Sequence, residues 1–140
     1  MSQGRRRRTW VFYAVWPLDD QMRAWLEEQN IGYPNVPSRF PTGAEIKKAL
    51  SSLNGYNIEI TDNGLGASWQ ASIVHISGGD KGPWTQLNIS HYSGEELPQE
   101  LWFEKGWESL IKEILQQLTL SCGPLTLMAD TGVEPVVIAT

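Results

Sequence analysis

Residues 106–132 read GWESLIKEILQQLTLSCGPLTLMADTG, and this stretch decides the fold. Trp107, Leu110, Ile111, Ile114, Leu115 and Leu118 recur at helical spacing and form one apolar stripe, while Lys112, Glu113, Gln116 and Gln117 take the opposite side. Gly106 is read as the N-cap, Glu108 sets negative charge at the positive end of the helix dipole, and Gly123-Pro124 stops the helix. Leu125 to Met128 then form an apolar run too short for a helix, so the chain passes directly from a one-faced helix into a strand. A helix with a single apolar stripe needs a sheet or a second helix to bury it. Val136 to Ile138 supply a further short strand.

Upstream, the pattern predicts the rest of that sheet. Thr9 to Trp16 set Trp10, Phe12, Ala14 and Trp16 on one face and Val11, Tyr13 and Val15 on the other, which suits a strand covered on both sides. Asp19 or Asp20 caps a short helix with Met22, Trp25 and Leu26 inward, ending near Asn30 to Gly32. Pro34, Pro37 and Pro41 make Tyr33 to Pro41 an extended connector. Thr42-Gly43-Ala44-Glu45 is a capping box opening a helix with Ile46, Ala49, Leu50 and Leu53 inward, up to Asn54-Gly55.

Tyr56, Ile58 and Ile60 alternate with Asn57, Glu59 and Thr61 before Asn63-Gly64, a two-residue hairpin signal. Pairing Asp62 with Leu65 sets Ile60 opposite Ala67, Ile58 opposite Trp69 and Tyr56 opposite Ala71. A five-residue loop, Gly79 to Pro83, then pairs Ile73 with Ile89 in the strand running from Trp84 to Tyr92. Ser93 to Glu100 form an acidic loop and Leu101-Trp102-Phe103 a short strand. The expected architecture is one α+β domain over residues 9–140, a mostly antiparallel sheet of about five or six strands packed by two or three helices, preceded by a basic arm over residues 1–8 without fixed structure.

Composition restricts function. The chain has 140 residues, 41% hydrophobic and 19% charged, and lacks any apolar run near the ~20 residues of a membrane span. Pro17 and Asp19-Asp20 close the apolar stretch after the arm, and no small-residue cleavage pattern follows, so it does not read as a secretion signal. A single cysteine, Cys122, excludes an internal disulfide and fits a cytoplasmic chain. Of the eleven Lys and Arg residues, Arg5 to Arg8 are four, which leaves seven against sixteen Asp and Glu in the body. An acidic body favours a basic partner over a polyanion; nucleic-acid association falls to the Arg5–Arg8 arm alone.

Leu127-Met128-Ala129-Asp130-Thr131-Gly132-Val133 resembles the active-site signature of retroviral-type aspartic proteases, in which two Asp-Thr-Gly aspartates share a proton. The resemblance implies a catalytic Asp130, but in that family the flap and remaining sheet follow the motif, and here Val133 to Thr140 follow it. A strand-ending turn is the expected role. Cys122 ends its helix, where the dipole disfavours a thiolate. His75 and His91, roughly 13 Å apart on one sheet face in the register above, are too distant to share a metal. Gly78 to Pro83 do not lead from a strand into a helix as a phosphate loop does, and a hairpin loop is their expected role. No cofactor or metal site is expected.

What is left is Glu95, Glu96, Glu100 and Glu104, interleaved with Trp102, in a chain with seven tryptophans. These five residues are the expected partner-binding surface of a non-catalytic protein that blocks a basic protein, in the manner of an immunity or antitoxin protein. The alternatives are a small-molecule or enzymatic pocket near Asp130, lined by Trp69 or His75, and nucleic-acid binding by Arg5 to Arg8.

Overall fold

The computed structural model describes residues 12–77, 82–131 and 134–139; Arg5 to Arg8, Trp10, most of the glycine-rich turn before Pro83 and Gly132 lie outside the described residues. Along the chain come β1 (Phe12–Pro17), α1 (Asp20–Glu28), α2 (Gly43–Ser51), β2 (Tyr56–Asp62), β3 (Trp69–His75), β4 (Trp84–Ile89), β5 (Trp102–Glu104), α3 (Glu108–Cys122), β6 (Leu125–Ala129) and β7 (Val136–Ile138). All strands join one antiparallel sheet in the order β2-β3-β4-β5-β1-β6-β7. This is the expected α+β class, with seven strands in the sheet and three helices. The first strand lies inside the sheet, between β5 and β6.

One face carries the core. Tyr13 and Val15 of β1 join Trp69, Ala71 and Ile73, Leu87 and Ile89, Phe103, Leu125 and Leu127, all packed with the buried sides of α2 and α3. Helix α3 packs on β4 and β7. Its first turn adjoins both, since Trp107 N donates to Trp84 O and Glu108 lines one space with Val136. The helix follows Glu104, which pairs with Phe12, and leads into Leu125, which pairs with Pro17, so it runs from one end of the strands to the other. The predicted stripe from Leu110 to Leu118 is buried. Trp107 departs from it: Trp107 is itself the N-cap, without a side-chain cap bond, and is exposed. Gly106, expected at that position, sits one residue earlier at φ +99°, where a Cβ would fall 2.2 Å from Trp84 O.

On the opposite face, α1 buries Met22 and Leu26 against Leu18, Trp16, Met128 and Val137. Trp25, expected inward, is exposed at the rim of α1. Among the described residues, no other helix packs on that face. Phe12 and Ala14 are exposed and Trp16 half-buried, so β1 is covered on both sides only toward Pro17, contrary to the two-sided burial its sequence suggests.

Both hairpin registers differ from the sequence expectation by the same amount. Ile60 pairs with Ala71, where Ala67 was expected, and Ile73 pairs with Thr85, where Ile89 was expected, a shift of four residues each time. An even shift leaves every residue on its expected face, so alternation alone cannot detect it. The cause of the first shift is the loop. Asn63 N donates to Ser68 O, Ala67 N to Gly64 O, and the tip is sewn to the next connection by Gly66 N to Tyr92 O and Tyr92 N to Ala67 O. The primed two-residue turn at Asn63-Gly64 gives way to this wider loop, and Leu65 is left exposed. With β4 ending at Ile89, His91 is outside the sheet and His75 pairs with Tyr56, so neither occupies its expected level.

The connector between α1 and α2 is held by two arginines. Arg23 donates to Leu18 O, Asn35 Oδ1 and Val36 O at 2.7–2.8 Å. Arg39 forks onto both oxygens of Glu45 at 2.8 Å and reaches Ser121 O at the end of α3. Glu45 meanwhile closes the capping box, accepting from Thr42 N at 2.9 Å while Thr42 Oγ1 accepts from Glu45 N. The Arg39 bonds, helped by the Thr42 amide and opposed by partial burial, hold the Glu45 carboxyl below the usual glutamate range.

A carboxylate whose pKa is depressed by folding contributes stability above its unfolded value and loses it as pH falls through the folded one. Glu45→Gln keeps the cap but removes the charge; its melting temperature should lie below wild type at neutral pH, and the gap should close as melts are taken into the acid range. A gap independent of pH would contradict the assignment. Gly123, at φ +87°, leaves no room for a side chain, because a Cβ would fall 2.2 Å from Pro37 O. Gly123→Ala should cost about 2 kcal/mol or more in chemical denaturation.

Candidate functional site

The uncovered part of the second sheet face divides into two halves. From β2 to β4 it presents mostly polar side chains, Asn57, Glu59, Thr61, Gln70, Ser72, Gln86 and the buried Asn88, with the half-buried pair Val74 and Trp84 at one end. From β5 to β1 it presents Trp102 and Glu104 beside Phe12, Ala14 and Trp16, because Ala14 pairs with Trp102 and Phe12 with Glu104. Phe12 and Trp102 rings meet at 5.7 Å.

At this boundary the chain after β4 returns to β5 and walls a cavity of about 480 Å³. Trp16 and Ala14 line it from β1, Trp102 and Leu101 from the β5 segment, and Ser90, His91, Ser93, Pro98 and Glu100 from the connecting loop. None of its lining residues is Lys or Arg. Both indoles are fixed. Trp16 Nε1 donates to Asp19 Oδ2 at 3.1 Å and its ring meets Phe40 edge-on at 5.1 Å; Trp102 Nε1 donates to Ser90 Oγ at 3.4 Å. A wider groove of about 600 Å³ continues from Trp16 beneath α1, lined by Met22, Trp25, Glu28 and Met128.

The loop wall is ordered by one buried side chain. Gln99 Oε1 accepts from Ser93 N at 2.9 Å, Gln99 Nε2 donates to Gly94 O and Leu97 O at 2.6 and 2.7 Å, and Gln99 N donates to Pro41 O. A buried amide with these bonds replaces the backbone pairing that the loop lacks.

Of the five expected partner-binding residues, Glu100, Trp102 and Glu104 come together on the open face or its cavity. Glu95 does not: Ala44 N at the start of α2 donates to Glu95 O, and Lys47 Nζ pairs with the Glu95 carboxylate at 2.9 Å. Glu96 is exposed on the loop. Phe12, Trp16, Ser90 and His91 complete the site and were not part of the expected surface; the signal for the first two was the second apolar face of β1.

Asp130 ends the β1–β6 ladder. Its N donates to Phe12 O at 2.9 Å and its Oδ1 accepts from Phe12 N at 3.2 Å, as a strand-ending turn requires. Asp130 is exposed, and a space of about 20 Å³ lined by Tyr13, Glu108 and Ala129 lies nearby. Trp69 and His75 stand on β3, four strand spacings or about 19 Å from β6, so they do not gather around Asp130. Cys122 is buried, and burial, with Glu45 as a lesser cause, pushes its thiol up to about 11; desolvation thus leads where the sequence pointed to the helix dipole. Among the described residues no three His, Cys, Asp or Glu side chains gather as metal ligands, and no helix is long and apolar enough to cross a membrane. Neither wall serine is bonded to the His91 ring, as a nucleophilic relay requires: Ser90 Oγ accepts from Trp102, and Ser93 Oγ donates to His91 O.

Gln99→Ala should leave several loop amides and carbonyls without partners and cost about 1–3 kcal/mol in denaturant unfolding, with faster amide exchange confined to residues 93–99. Unchanged exchange there would show that Gln99 does not hold the wall. No family model matches the chain, and no curated protein or solved structure matches it either.

Proposed function

We propose that the chain is a non-catalytic cytoplasmic binding protein whose open sheet face, centred on Trp102 with Glu100 and Glu104, docks on a basic protein and blocks it. The carrying observation is the juxtaposition of fixed, partly exposed aromatics with carboxylates on a face that no helix among the described residues covers. Aromatic anchors supply buried area at little entropic cost, and carboxylates around them steer and select a cationic partner. The body's seven basic against sixteen acidic residues extends the same field over the rest of the surface. Glu95 contributes little in this arrangement, since Lys47 already neutralises it.

Affinity capture from the native host with the immobilised chain tests the surface. A basic protein should be retained by wild type, lost or weakened by about thirtyfold or more with Trp102→Ala, and weakened by Glu100→Lys with Glu104→Lys. Glu95→Lys should have little effect. Retention of every captured protein by the Trp102 and Glu100/Glu104 variants, with circular dichroism showing them folded, would remove this face as the site.

A further inference from the structure

We propose that the cavity between Trp16 and Trp102 is a socket for one arginine side chain of the basic partner; this rests on the protein-docking reading and names the group that anchors it. The walls decide the ligand's charge. Trp16, Trp102 and Glu100 line the space together with His91, with no lysine or arginine among its lining residues, and the faces of indole rings attract cations more strongly than those of other aromatics. The two indole donors are already committed, Trp16 Nε1 to Asp19 and Trp102 Nε1 to Ser90, and Glu100 in the wall disfavours an anion.

Size and rigidity agree. At about 480 Å³ the cavity holds a long side chain, within the range of about 300–1,000 Å³ usual for small ligands. Trp16 is braced by Phe40 and Trp102 by Phe12, so little ordering remains to be done on binding. Arginine fits better than lysine because its planar guanidinium stacks on an indole and forks onto a carboxylate, whereas an ammonium is a compact, strongly hydrated charge.

The full-length chain, labelled with nitrogen-15, is titrated with the blocked tripeptides acetyl-Gly-Arg-Gly-amide, its lysine counterpart and its neutral glutamine counterpart. The indole N–H resonances are read, with Trp16→Phe and Trp102→Phe supplying the assignments. The arginine peptide should shift the Trp16 and Trp102 resonances at millimolar concentration, the lysine peptide more weakly, and the glutamine peptide not at all. Glu100→Gln should weaken the arginine peptide by about threefold to tenfold, and Glu95→Gln should not. Equal response to arginine and glutamine peptides, or no change with Glu100→Gln, overturns the socket. Replacing Arg5 to Arg8 by serine should leave the affinity unchanged; a tenfold rise would show that the chain's own arm fills the cavity and would overturn a partner arginine as its occupant. The two readings fail separately. Loss of indole shifts with partner capture intact removes the socket alone, and intact shifts with capture lost remove the protein partner alone.

Discussion

Seven strands at about 4.8 Å spacing make a sheet about 29 Å wide, and a helix with its side chains covers a band about 10 Å across, so three helices cannot cover both faces. Two of them, α2 and α3, are committed to the face bearing Trp69, Ile73, Leu87, Phe103 and Leu127. That leaves α1, which at nine residues is about 14 Å long and seals only the Trp16–Met128–Val137 end of the other face. Everything distinctive about the surface follows from this shortage. Where the uncovered strands carry Asn57, Gln70, Ser72 and Gln86, the face is polar, and Gln86 bonds Asn88. Where they carry Phe12 and Trp102, an apolar surface stays open beside Glu100 and Glu104.

What the sequence made legible was parity. Alternation placed Ile58, Ile73 and Leu87 on the core side, the capping box at Thr42 to Glu45 opened α2 where it should, and the Leu110 to Leu118 stripe identified the helix that packs on the sheet. Offset was illegible because it is a property of loops. A primed turn at Asn63-Gly64 costs nothing locally, yet the chain uses a wider loop, since Gly66 and Ala67 then exchange backbone bonds with Tyr92 and Trp69 lands opposite Ile89. Those bonds join residues distant in sequence, and no local pattern encodes them.

The site shows the same division. Glu100, Trp102 and Glu104 are neighbours in sequence and could be read together; Phe12 and Trp16 reach them only because β1 inserts between β5 and β6. A strand apolar on both faces reads as doubly buried, and only the reach of α1 shows which end of it stays open. The pairing of Glu95 was illegible for a related reason, since its partner Lys47 comes from α2, far away in sequence.

The extent of the face also bears on how a partner must sit. Four spacings from β2 to β1, about 19 Å, by strands of about five residues, about 17 Å, give a footprint of about 320 Å². A stable interface covers about 800 Å² on each partner. The flat sheet is therefore too small to hold a partner alone. The contact has to extend past Trp16, and the surface continues there: the groove under α1 shares Trp16 with the cavity and adds Trp25, Met22 and Met128. Trp25 was expected inside and stands exposed on the rim of that groove, so the aromatic surface runs without a break from Trp102 through Trp16 to Trp25. The acidic loop marks one end of the surface, and α1, the only helix on this side of the sheet among the described residues, sets the other.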